Sequence, residues 1–453
     1  MAEHPEVRRP LASSQEVTRH LLGGGRGRSP SFWLLVGVLT VLFGAGVVGL
    51  IIRLQGGFHE RSVWGYYAAT VAYLLTITQG APLVAVALRL TKADWRRPVT
   101  RAAELFTVVG VLNFFLFLPL LALVPSAQGR STVWLQWPWG APHVWDTLAW
   151  ALLVLCGLAL LYTSVLPDVA AARDGATGFR QRVSAWLASH WQGTERQWRV
   201  QRGGLVLLGV FYLMLFVLVH TLFSSDFAMS IVPGWKDAIF PPFHALSGLQ
   251  SAVAVTVVAM YLWRRAEGQP YLGRDQFWAL SKVLFALSLL WFYFWFAQFL
   301  TMWYGRLPIE QTLLQLLMVG PYRVPFVLAF SLNFLVPFFI LLWNPARKSI
   351  LGPTLAATSI LVGTLFDRIR IYVSAYSVEE SAAHILEQVP ATRLPDGVDI
   401  LMVVGLVAGA VLFYVLAARL IPPIAIWEVK EGLYLRVERL FLRKGVSVVG
   451  KPE

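Results

Sequence analysis

About ten apolar stretches, each ~20 residues or longer, follow one another from Phe32 to Leu420. A hydrocarbon layer ~30 Å thick is crossed by ~20 helical residues, and every backbone polar group inside it must bond within its own segment. The chain is therefore expected to be an all-α integral membrane protein with about ten transmembrane helices. Hydrophobic residues make up 57% of its 453 residues, against ~45–50% in an average soluble chain. No stretch reads as a soluble domain.

Windows of ~19 residues place spans near Phe32–Leu54, Trp64–Leu90, Ala102–Val124, His143–Leu166, Gly203–Ser224, Asp237–Trp263, Phe277–Trp303, Leu317–Trp343, Ile350–Ser374 and Val398–Leu420. A leader carrying Arg8, Arg9, Arg19, Arg26 and Arg28 precedes the first span. It is too long for a secretory signal and has no small-residue cleavage site, so the first span is read as a retained helix.

Charge sets the orientation. One side holds Arg8 to Arg28, the Arg89–Arg101 and Arg173–Arg202 loops, Arg264, Arg265, Arg274, Arg347, Lys348 and the tail from Arg419 to Lys451, 28 of the 38 basic residues. The other side holds Arg61, Arg130, Lys236, Arg306 and Arg393. The positive-inside rule puts both termini in the cytoplasm, which requires an even number of spans and agrees with ten. The net charge of +13 is thus a topology signal. Nucleic-acid binding is not expected, because no compact basic domain with interleaved aromatics accompanies it.

Cys156 stands alone, so the chain cannot supply an iron–sulfur cluster or a CxxCH haem attachment. It reads as a small core residue. His220 and His244 fall inside spans and could ligate a haem from two helices, but the repeated pairing of a transmembrane electron wire is missing. No phosphate loop, HExxH helix or GxSxG elbow occurs, and no metal site is expected.

Ionisable residues at membrane depth mark a pathway or a site by default. Asp146, His220, Asp226, Lys236, Asp237, His244, Arg323, Asp367, Arg368 and Arg370 cluster in the outer half. Asp146 and Asp226 lie near the interface, where a helix-end role competes with a functional one. Asp367 and Arg368 are the deepest pair; adjacent helical residues point ~100° apart, so each is expected to find its partner on another helix. Glu104, Asp168 and Lys282 sit near inner span ends, where snorkelling accounts for them. Gln79, Asn113, Gln298 and Asn333 are read as interhelical hydrogen-bonding groups, each contributing ~1 kcal/mol or less. Pro82, Pro119, Pro321, Pro325 and Pro337 interrupt apolar segments, freeing carbonyls that a ligand or water can use; plain kinks are the simpler reading. The tail Trp427–Gly445 alternates apolar and charged residues and is expected to be an amphipathic cytoplasmic helix.

The run from Ser224 to Lys236 (SSDFAMSIVPGWK), followed by Ile239-Phe240-Pro241-Pro242, resembles the NrfD/PsrC (polysulfide reductase) membrane subunits and, more narrowly, the paired quinol-module subunits of alternative complex III, a quinol:electron acceptor oxidoreductase. Trp95-Arg96-Arg97-Pro98, Trp145-Asp146, Leu166-Pro167-Asp168, Phe299 to Gly305 and Ser331-Leu332-Asn333-Phe334 are similar too. The resemblance implies two four-helix bundles plus flanking helices, divided as tail 1–31, first flanking helix and loop 32–63, core 64–374, outer loop and last span 375–420, and tail 421–453. It implies quinol oxidation near the positive face of a bacterial cytoplasmic membrane, and partners comprising a second NrfD-like subunit, an iron–sulfur protein and cytochrome c subunits carrying haem c, with no redox cofactor on this chain. The family's quinol-binding pattern has a histidine where this sequence has Gln79-Gly80-Ala81. Glutamine can hydrogen-bond a quinol ring, but it cannot take its proton.

Three readings follow. In the first, the chain anchors a respiratory or photosynthetic quinol-oxidising complex and carries a proton path through Glu104, Asp146, His220, Asp226, Asp367 and Arg368. In the second, it binds quinol itself between Gln79, Asp146, Asp226 and Lys236. A free-standing secondary transporter is the third, opposed by charge clustered near one face rather than at the midplane.

Overall fold

The computed structural model describes residues 14–23, 30–124, 141–175, 179–267, 271–379, 385–441 and 444–449. Arg8, Arg9, Arg26, Arg28 and Arg130, used above to orient the chain, lie outside them. Among the described residues nine helices are long and apolar enough to cross a membrane. These are α2 (Pro30–Gln55), α3 (Arg61–Leu90), α4 (Thr100–Leu123), α5 (Ala141–Gly175), α7 (Glu195–Phe227), α8 (Phe240–Glu267), α9 (Arg274–Gly305), α11 (Arg323–Leu342) and α13 (Gly397–Leu420). A tenth, α12 (351–376), is as long, but Asp367, Arg368 and Arg370 dilute its hydropathy. Shorter helices are α1 (Ser14–Gly23), α6 (Phe179–Leu187), α10 (308–319) and α14 (Ile426–Tyr434).

The ten long helices form two closed four-membered rings and one flanking pair. In the first ring α3 packs on α4 and α7, and α5 joins α4 to α7; in the second α8 packs on α9 and α12, and α11 closes the circle. The rings share a seam where α8 lies against α3 and α7, and α12 against α3. This is the arrangement of two four-helix bundles with flanking helices expected above. Among the nine apolar spans the most buried, α3 and α8, lie at that seam, and the other spans expose many large apolar side chains, as a lipid-solvated protein requires.

Small residues decide the close crossings. A Cβ on Gly80 would lie 2.7 Å from the Gly248 carbonyl oxygen, so α3 and α8 touch backbone to backbone. Between α2 and α13, a Cβ on Gly405 would lie 2.4 Å from Gly46 Cα. The outer end of that pair is pinned by Arg53, 2.8 Å from Asp396 and 3.0 Å from Asp399.

At three of the prolines, Pro82, Pro119 and Pro337, the freed carbonyls are taken up by protein. Proline removes the N–H that a carbonyl one turn back would have accepted. Tyr212 donates to Gln79 O (2.7 Å) ahead of Pro82, and Tyr67 to Leu116 O (2.5 Å) ahead of Pro119. Ahead of Pro337, Ser359 donates to Leu332 O (2.7 Å) and Gln250 to Asn333 O (2.9 Å). π-helical turns at Leu75–Gln79 and Ser331–Leu335 widen the backbone just before Pro82 and Pro337.

Two expected elements change. The span expected from Leu317 breaks at Gly320, so α10 and α11 are separate helices. The tail is not one amphipathic helix: α14 ends at Tyr434 and an antiparallel hairpin follows, β1 (Arg436–Phe441) paired with β2 (Lys444–Val449). Val437 and Phe441 on one strand and Val446, Val448 and Val449 on the other supply the β-branched and aromatic character that favours strands.

Candidate functional site

Four helices meet at the seam, each bringing a polar group. His220 is on α7, His244 on α8, Thr76 at the π turn of α3, and Asp367, Arg368, Arg370 and Tyr372 on α12. All are buried. His220 Nδ1 and His244 Nδ1 share a hydrogen bond of 2.8 Å, and the Tyr372 hydroxyl shares one of 3.0 Å with His244 Nε2. His220 Nε2, at the other end, has no hydrogen-bond partner among the described residues. The ring fits there because Gly248 lacks a side chain; a Cβ would lie 3.1 Å from His220 Cε1 and 2.6 Å from Phe216 Cζ.

Beside this chain Arg368 donates to Thr76 Oγ1 (3.1 Å), Asp367 Oδ2 (3.2 Å) and the His244 carbonyl (3.5 Å). Arg370 grips Asp367 Oδ1 at 2.8–2.9 Å. Asp367 therefore finds its cations on its own helix, not on another. Arg370 is one turn away at i+3, and the long guanidinium of Arg368 folds back on its neighbour where the π turn Ile369–Val373 begins. Arg368 reaches across to α3 and α8, and Arg370 lies 5.6 Å over the Phe326 ring of α11. Two guanidiniums against one carboxylate leave one excess positive charge in a buried place, an arrangement expensive enough to imply a role.

Towards the end away from the basic loops, the carboxyls of Asp146 on α5 and Asp226 on α7 are both buried and in side-chain contact with each other. The loop after Asp226 is built: Ser230 Oγ donates to Asp226 O (2.7 Å), Trp235 packs on Phe240 (4.6 Å), and Gly234 has φ +76, a conformation side-chain-bearing residues rarely adopt. Asp237 then caps α8 by accepting from the Ile239 N–H (2.8 Å) and the Phe240 N–H (3.2 Å), and Gln298 donates to its other oxygen. Lys236 is exposed and stands apart from the acid pair.

At the end of the bundle that carries the basic loops, Glu104 is not a snorkelling residue. It is fully buried, ion-paired to Arg89 and Arg101 (3.3 Å), and accepts from Ser164 Oγ (2.6 Å). Arg89 reaches on to Glu428 of α14 (2.6 Å), and Arg101 to Asp168 (3.0 Å). Asp168 in turn accepts from the first N–H groups of α14, at Ile426 (3.2 Å) and Trp427 (2.9 Å), where a helix N-terminus favours an anion. Of the inner trio, only Lys282 behaves as expected, lying 3.9 Å over the Trp278 ring.

Gln79 is buried within the first ring. Its Nε2 donates to Thr78 Oγ1 (3.0 Å) and Phe106 O (3.4 Å), its Oε1 accepts from Tyr212 (3.4 Å), and Gly110 leaves room for it. None of these partners is one of the acids. In the second ring Gln250, Ser251, Ser288, Asn333 and Thr364 make an uncharged network with links of 2.9–3.2 Å. Among the described residues no group of three or more His, Cys, Asp or Glu is placed to hold a metal ion.

The structure thus joins His220, Asp367 and Arg368 in one site and Asp146 with Asp226 in a second. Glu104 lies in a third, with Gln79 and Lys236 belonging to none. His244, which membrane depth had also marked, joins them, and Tyr372 and Thr76, which were not among the candidates, complete the seam. Tyr372 was findable, since it stands at i+4 from Arg368 and shares its helix face.

The sequence matches the family described as "Polysulphide reductase, NrfD" over residues 56–379, and the chain belongs to that family. Membership places it among the membrane subunits of quinone-linked redox complexes, which work beside iron–sulfur electron-transfer subunits. The match covers both four-helix rings; α13 and α14 lie beyond it. No curated protein matches the sequence.

Proposed function

We propose that this chain is an ActF-type membrane subunit of alternative complex III, in a bacterial cytoplasmic membrane with both termini cytoplasmic. It anchors the complex and passes protons, while quinol oxidation, iron–sulfur clusters and haem c belong to its partners. The observation that carries this reading is the buried Tyr372–His244–His220 chain beside Arg368 and Asp367. When Tyr372 donates to His244 Nε2, His244 must donate from Nδ1 to His220, and the proton of His220 sits on Nε2. With every bond reversed, His220 Nε2 is bare. A proton arriving on the Tyr372 oxygen lets the hydroxyl proton pass to His244 Nε2, the His244 Nδ1 proton pass to His220 Nδ1 and the His220 Nε2 proton leave, which is the behaviour of a relay. Glu104 on the inner side and the Asp146–Asp226 pair on the outer side flank it.

Quinol binding by this chain is the weaker reading. The Gln79 amide is taken up by Thr78, Phe106 and Tyr212, and Lys236 lies in the open.

Purification of the native complex tests the assignment: iron–sulfur and haem subunits should accompany the chain, and isolation without them removes it. In Asp226→Asn and Asp367→Asn variants that still assemble, proton release per electron should fall. Unchanged stoichiometry in both removes the proton path. A quinone analogue crosslinking beside Gln79 here, and not in the sister subunit, reverses the choice between the two.

A further inference from the structure

Helix α6 has no part in the sites above, yet it is firmly built. Its last carbonyl, at Leu187, accepts from the Tyr162 hydroxyl at 3.0 Å. Ala188 and Trp191 bury against Ala170 near the inner end of α5, and Arg173 donates to the carbonyls of Ala188 (3.0 Å) and Trp191 (3.3 Å). Gln197 Nε2 closes the following turn onto His190 O at 2.7 Å. At ~1.5 Å per residue, Tyr162 stands about 30 Å along α5 from Ala141, the depth of the far membrane boundary on the side of the basic loops. Leu187 is held at that same level.

What α6 turns outward suits that depth. Trp186 is 77% exposed although it is next to a tethered residue, and Tyr162 is 49% exposed beside it. Indole and phenol rings favour the zone between headgroups and acyl chains. The segment from Arg173 to Arg202 carries six arginines and two acids. Of those acids, Glu195 is occupied by Arg199 at 2.8 Å, and Arg202 pairs with Glu431 at 3.3 Å. Arg182 and Arg196 are exposed, and neither has an acidic partner among the described residues.

We infer that α6 is an interfacial anchor: Trp186 lies among the upper acyl chains, and Arg182 and Arg196 bind the phosphates of acidic phospholipids in the leaflet on the side of the basic loops. Charge complementarity selects this occupant, since cations without acidic partners beside an interfacial indole match an anionic headgroup on an acyl chain.

The test uses the full-length chain, purified with its partners and placed in nanodiscs of phosphatidylcholine alone or with one third phosphatidylglycerol. Phosphatidylglycerol should raise the unfolding temperature by a few degrees. In R182Q/R196Q and in W186A that response should be lost, while R182K/R196K and W186F retain it. High salt should weaken it, as for any surface charge pairing. Inorganic phosphate and glycerophosphate, which have the anion without the chains, should have no effect. An equal response to both lipid mixtures, an undiminished response in R182Q/R196Q, or reproduction of the effect by inorganic phosphate overturns the inference.

Discussion

His220 and His244 meet Nδ1 to Nδ1 at 2.8 Å across the seam between the two four-helix rings. Each ring therefore spends one nitrogen on the other. Only the far nitrogens are left to communicate, one towards Tyr372 and one towards the glycine face of α8.

Tyr372→Phe removes the hydroxyl bonded to His244 Nε2 and keeps the ring. Assembly should be unchanged and coupled proton movement should fall about tenfold or more, within the range that a positioned acid or base contributes. His244→Gln should do the same. Proton release measured against electron transfer in the purified complex checks both, and normal coupling in Tyr372→Phe would show that the hydroxyl is only a packing group.

Glu104 and Glu428 share Arg89. Glu104→Gln leaves buried Arg89 and Arg101 short of an anion, and breaking a buried pair from one side costs ~3–5 kcal/mol. Glu428→Gln should release α14 from the inner face, read as faster proteolysis after Leu420. Because the two acids hold one cation, the double variant should cost less than the sum of the singles. Additive effects in thermal unfolding would mean that the two acids act separately.

Gly405→Val forces a side chain into the backbone of α2, where the nearest atom would lie 2.4 Å away. Overpacking of this kind costs ~1–3 kcal/mol, so α2 and α13 should part. Gly37→Ala on the same α2 meets nothing within 4 Å and serves as the control. Disulfide trapping between cysteines introduced on the two helices should fail in the first variant and succeed in the second.

Asp396, just outside α13, should give the outer end a pH dependence. Partial burial pushes its carboxyl up, but the hydrogen bond from Arg53, the Asp399 N–H and the nearby cations outweigh this and hold it below the usual range. A carboxyl with a lowered folded pKa lends stability above its unfolded value, ~3.9, and loses it as the pH falls through the folded value. Protease sensitivity of the 385–396 segment should be flat near neutrality and rise below pH ~4; in Asp396→Asn that rise should vanish.

Much of this was legible in the chain itself. Long apolar runs decide a helical membrane fold because ~20 continuous apolar residues suit a helix that satisfies its own backbone and not the short alternating strands of a barrel, and Ser224 to Pro242 pointed to the family. Membrane depth alone singled out Asp226, His220 and Asp367, since a charge or an imidazole there needs a reason wherever the helices lie. Sequence could not tell which of them meet. Glu428 reaches Arg89 across 339 residues, His244 reaches Tyr372 across 128, and local periodicity carries no information about such pairs. Asp367 was expected to need another helix, yet it was satisfied by its own: Arg370 at i+3 was legible in the residue spacing, whereas the fold-back of Arg368 where the π turn begins was not. The bilayer imposes one solvent rule on every segment, so the sequence alone determined the architecture. Partners are chosen by which helix faces meet, so only the tertiary structure could separate a relay at the seam from an ionic clasp at the inner end.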